Sequence, residues 1–171
     1  MIQTSTRDKL QDFPFLNRYT IAYIETLINK STRVLEFGAG GSTIWFAQRV
    51  KKIVSFENSE KWFYKISDRL KDLGLDNADL FFDPLYWRPG LVVGEFDLIF
   101  IDGKKRLPCA KNSIGNLAEK GIVILDNSEY KKSRPAFDFL SSEIITSEHR
   151  SGLKKKSITS FFYKGGFYGR V

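Results

Sequence analysis

The sequence predicts one α/β domain built on a mostly parallel, doubly wound sheet. Short β-rich runs alternate with helical stretches, the runs VLEF, LIFI and IVIL are apolar without alternation, and a glycine-rich turn follows the first of them. Alternation of strand and helix implies right-handed βαβ units. Strands that are apolar throughout need helices over both faces.

In order along the chain, residues 15–29 place Leu16, Tyr19, Tyr23, Ile24, Leu27 and Ile28 at helical spacing, an amphipathic helix that should pack on a sheet. Strand and helix then alternate as RVLEF and TIWFAQRV, KIVSF and EKWFYKISDRLKDL, ADLFF, FDLIFI and CAKNSIGNLAEK, GIVIL and RPAFDFLSS. The ending differs: EIITSEHR and SITSFFYK flank SGLKKK with no helix between, so they read as an antiparallel hairpin whose turn is marked by Lys154 to Lys156. Residues 1–12 are polar and are expected to form a disordered arm, and nothing in 1–171 marks a second domain, a linker or a repeat.

With 171 residues, 42% of them hydrophobic and 27% charged, the chain is long enough for a full core. The single Cys109 has no partner for a disulfide or a CxxC site, which points to a reducing compartment, and the cytoplasm is the expected location. Apolar runs such as FDLIFI are too short to span a bilayer, so no membrane partner is expected. A net charge of +7 favours anionic partners.

The most specific segment runs from Arg33 to Thr43, RVLEFGAGGST: a buried strand, then glycines, then a helix beginning near Ser42. Glycines there allow a tight turn and close approach to a ligand of nucleotide type. Glu57 ends the next strand and is placed to accept hydrogen bonds from both ribose hydroxyls. Glu36, two residues before Gly38, would repel a pyrophosphate and suits the cationic end of a sulfonium amino acid, while Thr43 stands where a dinucleotide fingerprint has its third glycine.

VLEFGAGGST, VSFENSEKW, FFDP, FDLIFIDG and GIVILDN, in that order, resemble the successive motifs of class I S-adenosylmethionine-dependent methyltransferases over nearly the whole chain. The resemblance implies a Rossmann-like, seven-stranded sheet with the last strand antiparallel. It implies donor contacts from Glu36, Phe37, Gly38, Ala39, Gly40, Ser42 and Thr43, ribose contacts from Glu57 with Asn58 beside it, Asp83 near the adenine, and Asp102 at the donor as well. Ser42 departs from members with a third glycine there, a change that helix capping accommodates.

Asp102 ends the fourth strand and Asp126-Asn127 the fifth, at the carboxyl edge where open α/β sheets bind ligands. Their hard oxygens suit Mg²⁺, although Asp-Gly and Asp-Asn-Ser are also ordinary turn and capping sequences. IDGKK and LDN resemble the metal-binding segments of catechol and caffeoyl-coenzyme A O-methyltransferases, which implies Asp102, Asp126 and Asn127 as ligands and Lys105 as general base. The expected reaction is methyl transfer to an acceptor, with oxygen favoured by that likeness.

Lys104, Lys105 and Arg106 follow the fourth strand and Lys131, Lys132 and Arg134 the fifth, so an anionic small-molecule acceptor fits the rim, as does a merely solvated basic face. Nucleic acid is not favoured, because neither a recognised module nor a clear stacking platform is present. Tyr86 and Trp87 can stack on a ligand ring or cover a core edge, while His149 and Cys109 read as structural. Little sequence remains to build a lid, which leaves that task to a second copy in a homodimer, or leaves the chain as a non-catalytic binder of the nucleoside. An NAD-dependent oxidoreductase is the third reading, disfavoured by Glu36 and Thr43.

Overall fold

The computed structural model describes residues 10–85, 94–144, 146–152 and 155–165. Tyr86, Trp87 and Lys154 lie outside the described residues. The elements are α1 (Arg18–Leu27), β1 (Arg33–Phe37), α2 (Gly41–Ala47), β2 (Lys52–Glu57), α3 (Glu60–Asp72), β3 (Ala78–Phe82), β4 (Phe96–Ile101), α4 (Arg106–Ser113), β5 (Leu117–Leu125), α5 (Arg134–Glu143), β6 (Thr146–Gly152) and β7 (Lys155–Tyr163). They form a seven-stranded sheet in the order β3-β2-β1-β4-β5-β7-β6. β1 to β5 pair in parallel, and β7 enters antiparallel between β5 and β6.

The period of two along each strand divides the apolar residues between the two faces. Val34, Leu98, Phe100, Ile124 and Phe161 pack with Ile21 and Ile24 of α1, Ile44 to Ala47 of α2, and Ile66 and Leu70 of α3. Leu35, Phe37, Ile99, Ile101, Val123, Leu125 and Phe162 pack with Cys109 and Ala110 of α4 and Ala136 and Leu140 of α5. Neighbouring Phe161 and Phe162 of β7 thus close opposite faces, each fully buried, and each contributes about 1.5–3 kcal/mol by burial. In α1 the buried face is Thr20, Ile21 and Ile24, whereas Tyr19, expected at the core, is exposed.

Two expectations need correction. The helix expected over residues 109–120 stops at Ser113, and β5 begins at Leu117, opposite Phe96. Gly115 and Asn116 interrupt the helix, and the Asn116 side-chain amide donates to the Gly94 carbonyl at 3.0 Å, which ties that turn to the start of β4. Residues 10–12 of the expected arm are not loose: Asp12 forms an ion pair with Arg69 on α3. Among the described residues no helix is long and apolar enough to cross a membrane.

Candidate functional site

The centre of the carboxyl edge is the contact between the ends of β1 and β4. The Phe37 carbonyl accepts the amides of both Asp102, at 2.9 Å, and Gly103, at 2.7 Å, and the Gly38 amide donates to the Phe56 carbonyl at 2.9 Å. Gly38 has φ +99°, and a Cβ there would stand 2.7 Å from the Gly103 nitrogen. Only glycine meets both demands. At Gly40 the situation is reversed, since an added Cβ would meet nothing within 4 Å. The turn is sealed on one side and faces open space at Gly40, room for a ligand that a side chain would fill.

Glu36 does not face that space. In β1 it points to the α2 side of the sheet, directly across from Ser55 of β2, and is fully buried. Its Oε1 accepts the Ser42 hydroxyl and its Oε2 the hydroxyls of Thr43 and Ser55, each at 2.5 Å. Thr43 Oγ1 also accepts the Gly40 amide at 3.0 Å, so the carboxyl holds the glycine turn to the start of α2. Burial raises its pKa to about 7 against the pull of the three hydroxyls. The direct ligand contact expected of Glu36, Ser42 and Thr43 is therefore replaced, in this structure, by an internal set of hydrogen bonds that shapes the turn.

Glu57, at the end of β2, is buried beside the glycine turn, with 5% of its surface exposed. It accepts the Ser59 amide at 2.6 Å and also the amides of Asn58 and Ala39. Burial raises its pKa, and those amides together with the charge of Lys104 oppose the shift. The carboxylate thus adjoins the glycine turn one strand over from Gly38. Asp83 follows β3, its amide bonded to the Glu57 carbonyl at 2.9 Å and its Oδ1 accepting the Leu85 amide at 3.0 Å. Phe37, Phe56 and Phe81 lie side by side in register below these ends, with ring centroids 5.6 and 5.4 Å apart, and stiffen the floor.

The expected metal ligands do come together, but around a guanidinium. Arg106, the first residue of α4, is buried with its side chain 4% exposed. Its Nε donates to the Asp126 carbonyl at 3.0 Å, and one Nη donates to Asp102 Oδ1 at 3.2 Å, the Asp102 carbonyl at 3.4 Å and Asn127 Oδ1 at 3.3 Å. Asp126 Oδ1 accepts the Thr159 hydroxyl at 2.8 Å, and Asn127, held at φ +50°, donates to Ser157 at 3.1 Å. The Mg²⁺ reading is corrected by this arrangement: Asp102 and Asn127 turn their oxygens to Arg106, Asp126 turns one to Thr159, and the residues present do not fit a divalent ion.

Burial raises the pKa of Asp102, as does Asp126 behind it, while Arg106 opposes the rise. Asp126 is raised as well, chiefly by burial, against the Thr159 hydroxyl. Lys105, the expected base, is exposed at the start of α4, with its carbonyl accepting the Cys109 amide. Lys104, Lys131 and Lys132 are exposed on the neighbouring loops, so the rim is basic as expected.

Sequence reasoning missed the parts that three contributors play. Ser55 was legible as a lone polar residue within KIVSFE, and Arg106 as a cation four positions after Asp102. The third is the segment Gln11 to Phe13, which crosses the start of α2. A Cβ on Gly41 would collide with the carbonyl oxygens of Gln11 and Phe13, Asp12 pairs with both Nε and an Nη of Arg69, and Phe13 meets the edge of Trp45 with centroids 6.5 Å apart. No local pattern in the sequence signals that docking.

No family model matches the chain, and no curated protein does. Solved structures match over most of its length. An rRNA methylase from Streptococcus thermophilus is 17% identical with a TM-score of 0.72, the match covering 89% of this chain and 99% of that one. A putative methyltransferase from Streptococcus mutans, solved in complex with S-adenosylhomocysteine, is 14% identical with a TM-score of 0.69, covering 88% and 99%. A S-adenosylmethionine-dependent O-methyltransferase from Thermotoga maritima is 13% identical with a TM-score of 0.70, covering 89% of this chain and 67% of that one. At such identities the likeness is one of fold, and the chain has the Rossmann-like fold of the class I methyltransferases.

Proposed function

We propose that this single domain transfers a methyl group from S-adenosylmethionine to an acceptor bound at the carboxyl edge of the sheet. The observation that carries the reading is the pairing of the open turn at Gly40 with the Glu57 carboxylate one strand over. A nucleoside needs close backbone approach on one side and a hydroxyl acceptor on the other, and these residues offer both. The donor supplies an electrophilic methyl on a sulfonium. Gly38 to Gly40 would take its amino acid part, Glu57 with Asn58 its ribose, and Asp83 would border its base.

The acceptor side is Asp102, whose side chain is 37% exposed beside the buried Arg106, under the basic rim of Lys104, Lys105, Lys131 and Lys132. Such a rim favours an anionic small molecule, and Asp102 or Lys105 would take the proton from an acceptor hydroxyl. Catalysis would come chiefly from holding donor and acceptor in line. That neighbouring folds include one solved with S-adenosylhomocysteine supports the donor, and an O-methyltransferase among them supports oxygen as this chain's proposed acceptor atom.

Calorimetry with S-adenosylmethionine, S-adenosylhomocysteine and NAD tests the donor, and a screen of phenolic, sugar and RNA acceptors that follows S-adenosylhomocysteine formation tests the transfer. Binding of NAD in preference to both nucleosides would remove the reading. Nucleoside binding without turnover on any acceptor would leave a binder in its place.

A further inference from the structure

We propose that Arg106 is a built-in cation: its guanidinium occupies the point at which Asp102, Asp126 and Asn127 converge, and positions the acceptor side of the crevice with no divalent ion.

The geometry has three parts. First, the acceptors are spread over both loops, with the Asp102 side chain and carbonyl on one and the Asp126 carbonyl and Asn127 side chain on the other. One rigid, planar group therefore sets the distance between the ends of β4 and β5. Second, the guanidinium is buried and held by hydrogen bonds to all three residues, so it is a permanent resident. Third, it leaves a divalent ion both displaced and repelled, since Asp102 Oδ1 and Asn127 Oδ1 are already committed to it at 3.2 and 3.3 Å.

Arg106 acts through Asp102 and is a positioning residue. Anchored through its carbonyl and Oδ1 together, Asp102 is held in one direction with its side chain 37% exposed. A lysine at 106 would keep the charge but bring one point donor in place of a planar fork, and would loosen that direction.

This inference concerns the crevice of the proposed transfer but is read out by metal binding, so it stands or falls apart from the donor assignment. Mn²⁺ is titrated into the wild-type protein, Arg106→Met, Arg106→Lys and the double variant Arg106→Met/Asp102→Asn, and free Mn²⁺ is followed by electron paramagnetic resonance. Asp102→Asn alone is titrated in the same way, and wild type and Arg106→Lys should take up no stoichiometric Mn²⁺ at millimolar concentration. Arg106→Met, freed of the resident charge, should bind one ion at least tenfold more tightly, and the double variant should lose it. Stoichiometric Mn²⁺ in wild type that Asp102→Asn removes would overturn the proposal, and so would a folded Arg106→Met that binds none. Should Arg106→Met fail to fold, the wild-type and Asp102→Asn titrations decide alone. S-adenosylhomocysteine calorimetry on the wild type, with and without chelator, reports separately on the donor.

Discussion

Gly38 and Gly103 are in backbone contact: a methyl group added to the first would stand 2.7 Å from the amide nitrogen of the second. The two glycines let the first and fourth strands end side by side, with the Phe37 carbonyl accepting from both residues of the opposing turn. Gly38→Ala combines a forbidden φ of +99° with this collision. We expect a cost of about 2 kcal/mol or more and a Tm lower by roughly 4–8 °C. S-adenosylhomocysteine affinity should fall at least tenfold. Gly40→Ala, which meets no neighbour, should keep the Tm and lose affinity alone, and calorimetry beside thermal melts separates the two.

Glu36 gives the fold a pH dependence. Its native carboxyl titrates near 7 while the unfolded one titrates near 4.5, so between these values the native state holds a proton that the unfolded chain has released. Stability from this group is then fully present below about pH 4.5 and is lost as pH rises to about 7, by about 3 kcal/mol. Glu36→Gln should flatten that part of the curve. Urea unfolding at pH 5 and pH 8 measures it, and equal pH differences in wild type and variant would refute the assignment.

Glu57→Ala should weaken S-adenosylhomocysteine binding by tenfold or more, in line with about 1.5–3 kcal/mol for hydrogen bonds to a charged group. Calorimetry reads it directly. An affinity within twofold of wild type would place the ribose elsewhere.

Gly41→Ala tests the docking of Gln11 to Phe13, because the new Cβ displaces their carbonyls from the start of α2. Hydrogen exchange should quicken at residues 11–16 and stay unchanged in β4 and β5. Exchange that is already fast in wild type would show that the segment does not dock.

Cys109 has no solvent exposure, and burial pushes its thiol up to about 12. The native protein should therefore leave a disulfide reagent unreacted over hours, and release one thiol equivalent when unfolded. Rapid native reaction would contradict the burial.

The sheet was legible because its strands are apolar on both faces and punctuated by glycine or aspartate, as in VLEFG, FDLIFIDG and GIVILD. The parallel pairing of β1 to β5 followed from alternation with helices. The site was legible where backbone conformation decides it, at Gly38 and Gly40, and at Glu57, which ends its strand. It was not legible where a side chain's direction decides it. Glu36 sits beside the glycines in sequence, yet strand parity turns it beneath α2 toward Ser55. Asp102, Asp126 and Asn127 carry oxygens in a ligand-like pattern, but the cation they meet belongs to Arg106, a residue that its sequence position alone assigns to the basic rim.

The placement of β7 between β5 and β6 has a consequence for biosynthesis. Until residues 155–163 emerge, Val123 and Ile124 have no neighbour on that side, and the hydrophobic layers above and below the sheet both lack their closing phenylalanine. Between the synthesis of Leu125 and that of Tyr163 a nascent chain must carry a half-finished sheet with an open, sticky border. Chaperone demand and aggregation during overexpression should accordingly respond to how fast the codons for residues 126–163 are read.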